Sequence, residues 1–493
     1  MLTPPTTRRD RVTATVQQLL RHDLAVPVLM AVMIVAMGAH VACTFKLASW
    51  GNDEPAHFGY IVSLANGVLP TIDSPIMADP GQFGDLAGAL TGWDGDHNDI
   101  WVANHAPLFH LLLVPIWWLG QSDLETTFVV MRLVNTVGFG AWVIATALVV
   151  RELVPRRPAV VALASVITVA PTLALRSGFL QNDGWGSAAA VVVVLMTIRM
   201  MRGGPTRRQL VIAAVAGIVA AGTRAPGVLA VAVCALVLLA YWWRSGERRT
   251  ALLGLVVVGG VPALAVSWFY LRNLSLYGGV TASSALLEKF DRVPRTSLVD
   301  LWNAPGFDSA VLATPISLLA LLTLGPLVAV RWARGRHAFD AAWVLVIAQG
   351  LLTGLNFVQF VSTGGGFHDR YLMPIMPLLA AVTALGMLEL GRRAGQAVDP
   401  RREWRAAAAW GTVLLLWLAG AFVVLEIYYV FSRQDTFPIT GPLLVLLPLV
   451  WIAAAGATIT VLARRALHVV PVAVPDVAAD PEPGGTAGAT AAA

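Results

Sequence analysis

Lysine is nearly missing from this chain: of 34 basic residues among 493, only Lys46 and Lys289 are lysines. Charge of either sign is scarce too. Soluble domains carry about 25% charged residues, whereas this chain carries 13%. That shortage excludes an ordinary soluble globular domain. Cysteine is limited to Cys43 and Cys234, which form no motif. A disulfide framework and a thiolate metal site are thereby excluded. The net charge of +5 comes from dispersed arginines. Their distribution reports membrane orientation, and no nucleic-acid partner is implied.

What is abundant is apolar sequence. Hydrophobic residues make up 57% of the chain, and the mean hydropathy is +0.70. The apolar residues fall into runs long enough to cross a bilayer, about 20 residues each. Twelve runs qualify: 24–45, 128–150, 159–177, 185–201, 209–225, 226–243, 250–271, 311–330, 339–360, 371–390, 406–429 and 441–463. The fold expected is therefore all-α and polytopic. The first run follows Arg8, Arg9, Arg11 and Arg21 like a signal peptide. It is long enough to span and lacks a small-x-small cleavage site, so it reads as an uncleaved span.

One further apolar stretch, 106–120, is short for a span, and the arginines decide its placement. If it does not cross, 24 of the 34 basic residues fall on one face of the membrane. If it crosses, every arginine group after the first four moves outward. The positive-inside rule selects the first arrangement. The stretch 106–120 is then an interfacial helix, both termini are cytoplasmic, and the location is the plasma (inner) membrane. Residues 1–23 form a cytoplasmic segment and 24–463 the transmembrane domain, with 46–127 as its first outer loop. Residues 464–493 are rich in Ala, Pro and Gly and read as a disordered tail. No strong internal repeat supports an inverted-repeat transporter.

Polar residues gather at the outer ends of these spans. Asp53, Glu54 and His57 follow the first span, with Asp53 and His57 on one face if the segment is helical. Asp94, Asp96 and Asp99 lie farther along the loop. They suit a solvated loop or an oxygen-ligand cation site, which leaves a divalent cation as a possible cofactor with Asp53, Asp96 and Asp183 as candidate ligands. Then come His105, the pair Asn182-Asp183, Arg224 at the end of the fifth span, Arg272-Asn273…Tyr277-Gly278, and His368-Asp369-Arg370-Tyr371. Simpler roles compete for each. Arg132, Arg176 and Arg224 can snorkel to headgroups, and for Arg132 that reading is preferred. Asn182 or Asp183 can cap a helix. His57 and His105 can be structural. Trp50, Trp93, Trp101, Trp117 and Trp118 suit an aromatic belt. Asp53 fits a simple role least well, because adjacent carboxylates at a helix end repel.

A lipid-linked sugar phosphate would need such a set: arginines for its phosphate, a carboxylate base for an acceptor hydroxyl, and a groove for the lipid. The order of motifs resembles the GT-C superfamily of membrane glycosyltransferases. The matching pieces are Asp53-Glu54, His105-x-Pro107-Leu108-Phe109, Arg132-Leu133, Asn182-Asp183, Arg272-Asn273…Tyr277-Gly278 and Arg370-Tyr371-Leu372-Met373-Pro374. The resemblance covers about residues 24–390 and departs at Asn104-His105-Ala106-Pro107. It implies transfer, usually inverting, from a polyprenyl-phosphate sugar to a cell-envelope glycan, lipid or protein on the extracytoplasmic face. In that scheme Asp53 is the base, and Glu54 assists or orients it. Arg272 and Arg370 hold the donor phosphate, with Arg224 a third candidate. His57, His105, Asn182, Asp183, His368 and Tyr371 support the site. A lipid-linked-sugar flippase would instead want ionisable groups at the bilayer midplane, for which His40 and Glu426 are candidates. A non-catalytic scaffold of the same fold is the third reading. Convergence of Asp53, Arg272 and Arg370 on one cavity is the geometric test of the enzyme reading.

Overall fold

The computed structural model describes residues 23–45, 53–77, 99–297, 299–300, 340–366, 368–390, 398–433 and 443–468. Apolar backbone in lipid must satisfy its own hydrogen bonds, and the chain does so with helices. In order they are α1 (Ala25–Thr44), α2 (Glu54–Ala65), α3 (Leu108–Gly120), α4 (Leu124–Leu153), α5 (Pro158–Thr168), α6 (Pro171–Arg176), α7 (Asp183–Gly203) and α8 (Arg207–Ala221). Next come α9 (Ala225–Arg244), α10 (Arg248–Tyr277), α11 (Ser283–Lys289) and α12 (Ala341–Ser362), then α13 (Met376–Glu389), α14 (Pro400–Arg433) and α15 (Leu443–His468). A 3₁₀ turn, Asp369–Ile375, leads into α13.

Nine helices among the described residues are long and apolar enough to cross a membrane, which makes this a multi-pass membrane protein. Two of the other expected spans are shorter than anticipated. The stretch 159–177 divides into α5 and α6 ahead of Pro171, which has no N–H to continue the ladder. The stretch 209–225 forms the 15-residue α8. Span 311–330 lies outside the described residues, as do most of 1–23 and 464–493. At 13 residues, α3 is too short to cross about 30 Å of hydrocarbon at 1.5 Å per residue, in keeping with an interfacial placement.

Two cores hold the bundle. The larger joins α1, α4, α5, α7 and α13 through Met33, Ile34, Phe139, Trp142, Val191 and Leu385. Trp142 satisfies its indole by donating to Met373 O at 2.9 Å. Glycine lets α1 approach the turn after α6: a Cβ on Gly178 would lie 2.5 Å from Gly38 O. The smaller core lies at one end, where Phe58, Ile61, Phe109, Leu113, Trp117 and Phe128 pack α2 and α3 onto the start of α4. These two short helices therefore form a fixed platform. At the opposite end of α4, Arg157 bridges Glu389 and Glu403, and Glu152 pairs with Arg199 and Arg202.

One buried ion pair anchors the platform to the spans. Arg132 on α4 donates through Nε and Nη2 to the two oxygens of Glu54 at 2.7 and 2.6 Å. Its Nη1 reaches Phe45 O at 2.7 Å, and Leu180 N donates to Glu54 Oε1 at 2.7 Å. Both side chains are fully buried. Arg132 therefore does not snorkel to headgroups: a bidentate carboxylate and a backbone carbonyl satisfy it inside the protein. Removing one partner of such a pair strands a buried charge, at a cost of about 3–5 kcal/mol.

Candidate functional site

Asp53 occupies the N-cap position of α2, but its side chain makes no capping hydrogen bond. Pro55 in the first helical turn reduces the number of N–H groups needing a cap. The carboxylate turns away from its own helix. Oδ1 accepts from Trp101 Nε1 at 3.1 Å, and Oδ2 accepts from Arg370 Nη2 at 2.5 Å. Burial alone would raise this carboxyl's pKa. The Arg370 guanidinium, then His57 and the two hydrogen bonds, outweigh burial and hold it well below the usual carboxylate range. Glu54 points elsewhere, into the Arg132 pair, so the expected assistance to the base is not available from it. Adjacent residues at a helix start diverge: the Glu54 side chain is fully buried, and that of Asp53 is partly exposed.

Arg370 enters from the 3₁₀ turn before α13. Its Nη1 lies 3.4 Å from Gln181 Oε1 and 3.6 Å from Asp183 Oδ2. Asp183 opens α7, is fully buried, and forms a close ion pair with Arg224, the residue before α9. Asn182 does not cap α7 either; its Nδ2 donates to Thr223 O at 3.1 Å and fixes the turn that carries Arg224. The guanidinium carbons of Arg224 and Arg370 each lie 5.4 Å from the Tyr371 ring. Each arginine keeps a buried Nε–H without a hydrogen-bond partner among the described residues. A small cleft opens beside them, lined by Ser187, Arg224, Pro226, Arg370, Tyr371 and Pro374. His368 approaches Arg176 at 3.4 Å, and Arg176 approaches Asp369 at 3.5 Å. Three carboxylates (Asp53, Asp183, Asp369) therefore meet four guanidiniums (Arg176, Arg224, Arg292, Arg370) around this end of the bundle. The surplus is positive and suits an anionic ligand.

Arg272 departs from expectation. It donates to Leu69 O and Pro70 O at 3.2 and 2.9 Å, and no ion pair joins it to Asp53 among the described residues. Of the three residues expected to converge, Asp53 and Arg370 meet and Arg272 does not; Arg224 is linked to the pair through Asp183. The remainder of that motif is also structural. Asn273 Nδ2 donates to Asn104 O at 3.0 Å, and Ile72 N donates to the Tyr277 hydroxyl at 3.1 Å. Gly278 closes α10 at φ 68°, in the left-handed region.

Behind Asp53 the histidines are neutral and stacked. His57 Nδ1 lies 2.9 Å from His110 Nε2, and the Tyr60 ring stacks on His110 at 4.0 Å between centroids. Tyr60 donates its hydroxyl to His105 O at 3.0 Å. Burial pushes the His57 pKa down to about 3 despite the opposing pull of Asp53. Burial likewise drives His105 and His110 well below the ordinary histidine value. His110 was not singled out in the sequence, because its i+53 partnership with His57 leaves no local signal. Trp101, which by sequence suits an aromatic belt, donates its indole N–H to Asp53. Trp117 is buried in the smaller core, whereas Trp118 is exposed.

For a cation, Asp53 and Asp183 both face arginines, Asp99 pairs with Lys289 at 2.6 Å, and Asp96 lies outside the described residues. Among the described residues no three His, Cys, Asp or Glu side chains group as metal ligands. His40 and Glu426, anticipated at depth, pair at 2.5 Å between α1 and α14.

No family model matches the chain, and no curated protein matches it in sequence. Solved structures are similar to it. ArnT from Cupriavidus metallidurans bound to undecaprenyl phosphate is 15% identical over 94% of this chain and 78% of its own, with a TM-score of 0.49. The archaeal oligosaccharyltransferase AglB from Archaeoglobus fulgidus is 14% identical over 81% of this chain and 56% of its own, with a TM-score of 0.47. The arabinosyltransferase EmbB from Mycobacterium smegmatis is 13% identical over 94% of this chain and 42% of its own, with a TM-score of 0.40.

Proposed function

We propose that the chain is an inverting glycosyltransferase that moves a sugar from a polyprenyl-phosphate donor to a cell-envelope acceptor on the extracytoplasmic face. The observation that carries this reading is the Asp53–Arg370 pair, set beside Arg224 and a cleft at the ends of membrane helices. The two unpartnered Nε–H groups of Arg224 and Arg370 supply donors for a phosphate. A lipid phosphate sits at this depth by its own chemistry, with its chain in the bilayer.

The mechanism follows from the competition for Arg370. In the resting site Arg370 makes Asp53 a weak base. A donor phosphate that takes over part of the Arg370 charge raises the basicity of Asp53 when the substrate is present. The acceptor hydroxyl then attacks the anomeric carbon, and Asp53 takes its proton. The bond from that carbon to the phosphate oxygen breaks, and its electron pair leaves with the polyprenyl phosphate. Arg224 and Arg370 stabilise the charge that grows on the leaving oxygen. A single displacement inverts the anomeric centre. A divalent cation would join at the phosphate and not at Asp53 or Asp183, whose carboxylates are committed to arginines.

The test is transfer of radiolabelled sugar from defined polyprenyl-phosphate donors into a membrane extract. Asp53→Asn should abolish transfer while the protein remains inserted and folded. Full activity in that variant would sink the proposal.

A further inference from the structure

Arg292 belongs to the segment after α11, outside the membrane helices, and among the described residues it forms no ion pair. Its guanidinium carbon lies 5.1 Å from the Phe290 ring and 5.6 Å from the Phe360 ring. Phe290 meets Trp101 edge-on at 6.1 Å, and Trp101 is the indole that donates to Asp53. On the other side, Phe360 packs on Tyr371 at 5.1 Å, beside Arg370. Arg292 and Asp53 are thus two polar groups on one aromatic enclosure.

The backbone is shaped to hold Arg292 there. Asp291 just before it adopts φ 45°, a left-handed conformation that a non-glycine residue rarely takes. Gly364 has φ 102°, and a Cβ on it would come within 2.8 Å of the Arg292 Cβ. Arg295 laces the two segments: its N donates to Ser362 O at 2.7 Å, and its Nη1 to Val361 O at 2.8 Å and Gly365 O at 2.5 Å. Arg295 therefore spends Nη1 on carbonyls, as Arg272 spends Nη2. Arg292 packs between two aromatic rings, and low-dielectric surroundings of this kind strengthen a charge-assisted hydrogen bond to an anion.

Arg224 and Arg370 already flank the cleft at the helix ends, where a lipid phosphate would lie. Arg292 does not line that cleft, so an anion held at Arg292 is assigned to the second substrate. We propose that Arg292 binds an acid group on the acceptor, and that the acceptor is an anionic glycan with that group close to its accepting hydroxyl. The inference rests on the transferase reading and adds the acceptor's chemical class. Phe290 and Trp101 supply the apolar faces against which a sugar ring stacks.

The experiment uses the full chain in nanodiscs and three probes: D-glucuronate, D-glucose and undecaprenyl phosphate, each in a direct binding titration. The wild-type chain should prefer glucuronate to glucose. Arg292→Gln should weaken glucuronate binding by about tenfold or more, as expected for a charge-assisted contact. Arg292→Lys should restore part of it, and undecaprenyl phosphate should bind both variants as it binds the wild type. No preference for glucuronate, or glucuronate binding unchanged by Arg292→Gln, would overturn the proposal. Weakened undecaprenyl phosphate binding would also overturn it, by placing the donor at Arg292. Asp53→Asn separates this inference from the reading beneath it: that variant should lose transfer and still bind glucuronate.

Discussion

Arg370 holds Asp53 with one terminal nitrogen and faces Asp183 with the other, at 2.5 and 3.6 Å. One guanidinium therefore connects the start of α2 with the start of α7. Asp183 is in turn paired with Arg224, so acid and base alternate through the site. An anion that binds between the two arginines disturbs both pairs at once.

The two adjacent carboxylates should separate in their effects. Asp53→Asn should lower turnover by roughly 10²-fold or more, the scale of general-base loss, with a smaller fall in melting temperature than Glu54→Gln, because Arg370 keeps Asp183 as a second carboxylate partner. Glu54→Gln should instead destabilise the protein by about 3–5 kcal/mol, because Arg132 is left buried without its charge partner. Thermal unfolding in detergent alongside a transfer assay measures both. Equal melting temperatures for the two variants would contradict the division.

The arginines should rank in a definite order. Arg224→Gln and Arg370→Gln should each raise the KM for the polyprenyl-phosphate donor about tenfold or more, since each removes a charged donor to phosphate. Arg272→Gln should change donor KM far less, because Arg272 ties Leu69 and Pro70 to α10. A donor KM that responds to Arg272 and ignores Arg224 would reverse the assignment.

Acid should weaken the platform before it affects the larger core. His57 titrates near 6.5 when unfolded and is lowered to about 3 in the fold. The unfolded chain therefore binds more protons between those values, and stability falls as pH drops from about 6.5 toward 3. Asp53, also depressed in the fold, adds a loss that begins only below its ordinary value of 3.8. His57→Gln should flatten the decline of melting temperature between pH 6.5 and 4.5, leaving the part due to His105 and His110. An unchanged slope would count against a neutral His57.

Gly178→Ala should be poorly tolerated although it adds one methyl. The new Cβ would sit 2.5 Å from Gly38 O, a backbone atom on a buried face of α1. Overpacking of this kind costs about 1–3 kcal/mol. Gly204→Ala offers a contrast: it has open space around its Cβ but a φ of 76°, so its cost is conformational and local. Melting temperatures of the two variants give the comparison.

Run length and charge scarcity along the chain were enough to read the helical membrane architecture and the shortness of α3, and motif order marked Asp53, Arg370, Asn182-Asp183 and Tyr371 as candidates. All three signals are local or additive along the chain. What it left open was partnership. Asp53 and Glu54 are neighbours with one chemistry, yet Asp53 reaches a residue 317 positions away and Glu54 one 78 positions away. Only the placement of α2 beside α4 and the 3₁₀ turn before α13 decides that Glu54 is sealed in with Arg132 and Asp53 meets Arg370. The same holds for the arginines. Arg132, Arg224, Arg272 and Arg292 look alike in an apolar chain, and a guanidinium's role is fixed by what surrounds it. Burial with a carboxylate made Arg132 structural, nearby carbonyls hold Arg272 through Nη2, and Arg292 packs between aromatic rings with no direct ion pair among the described residues.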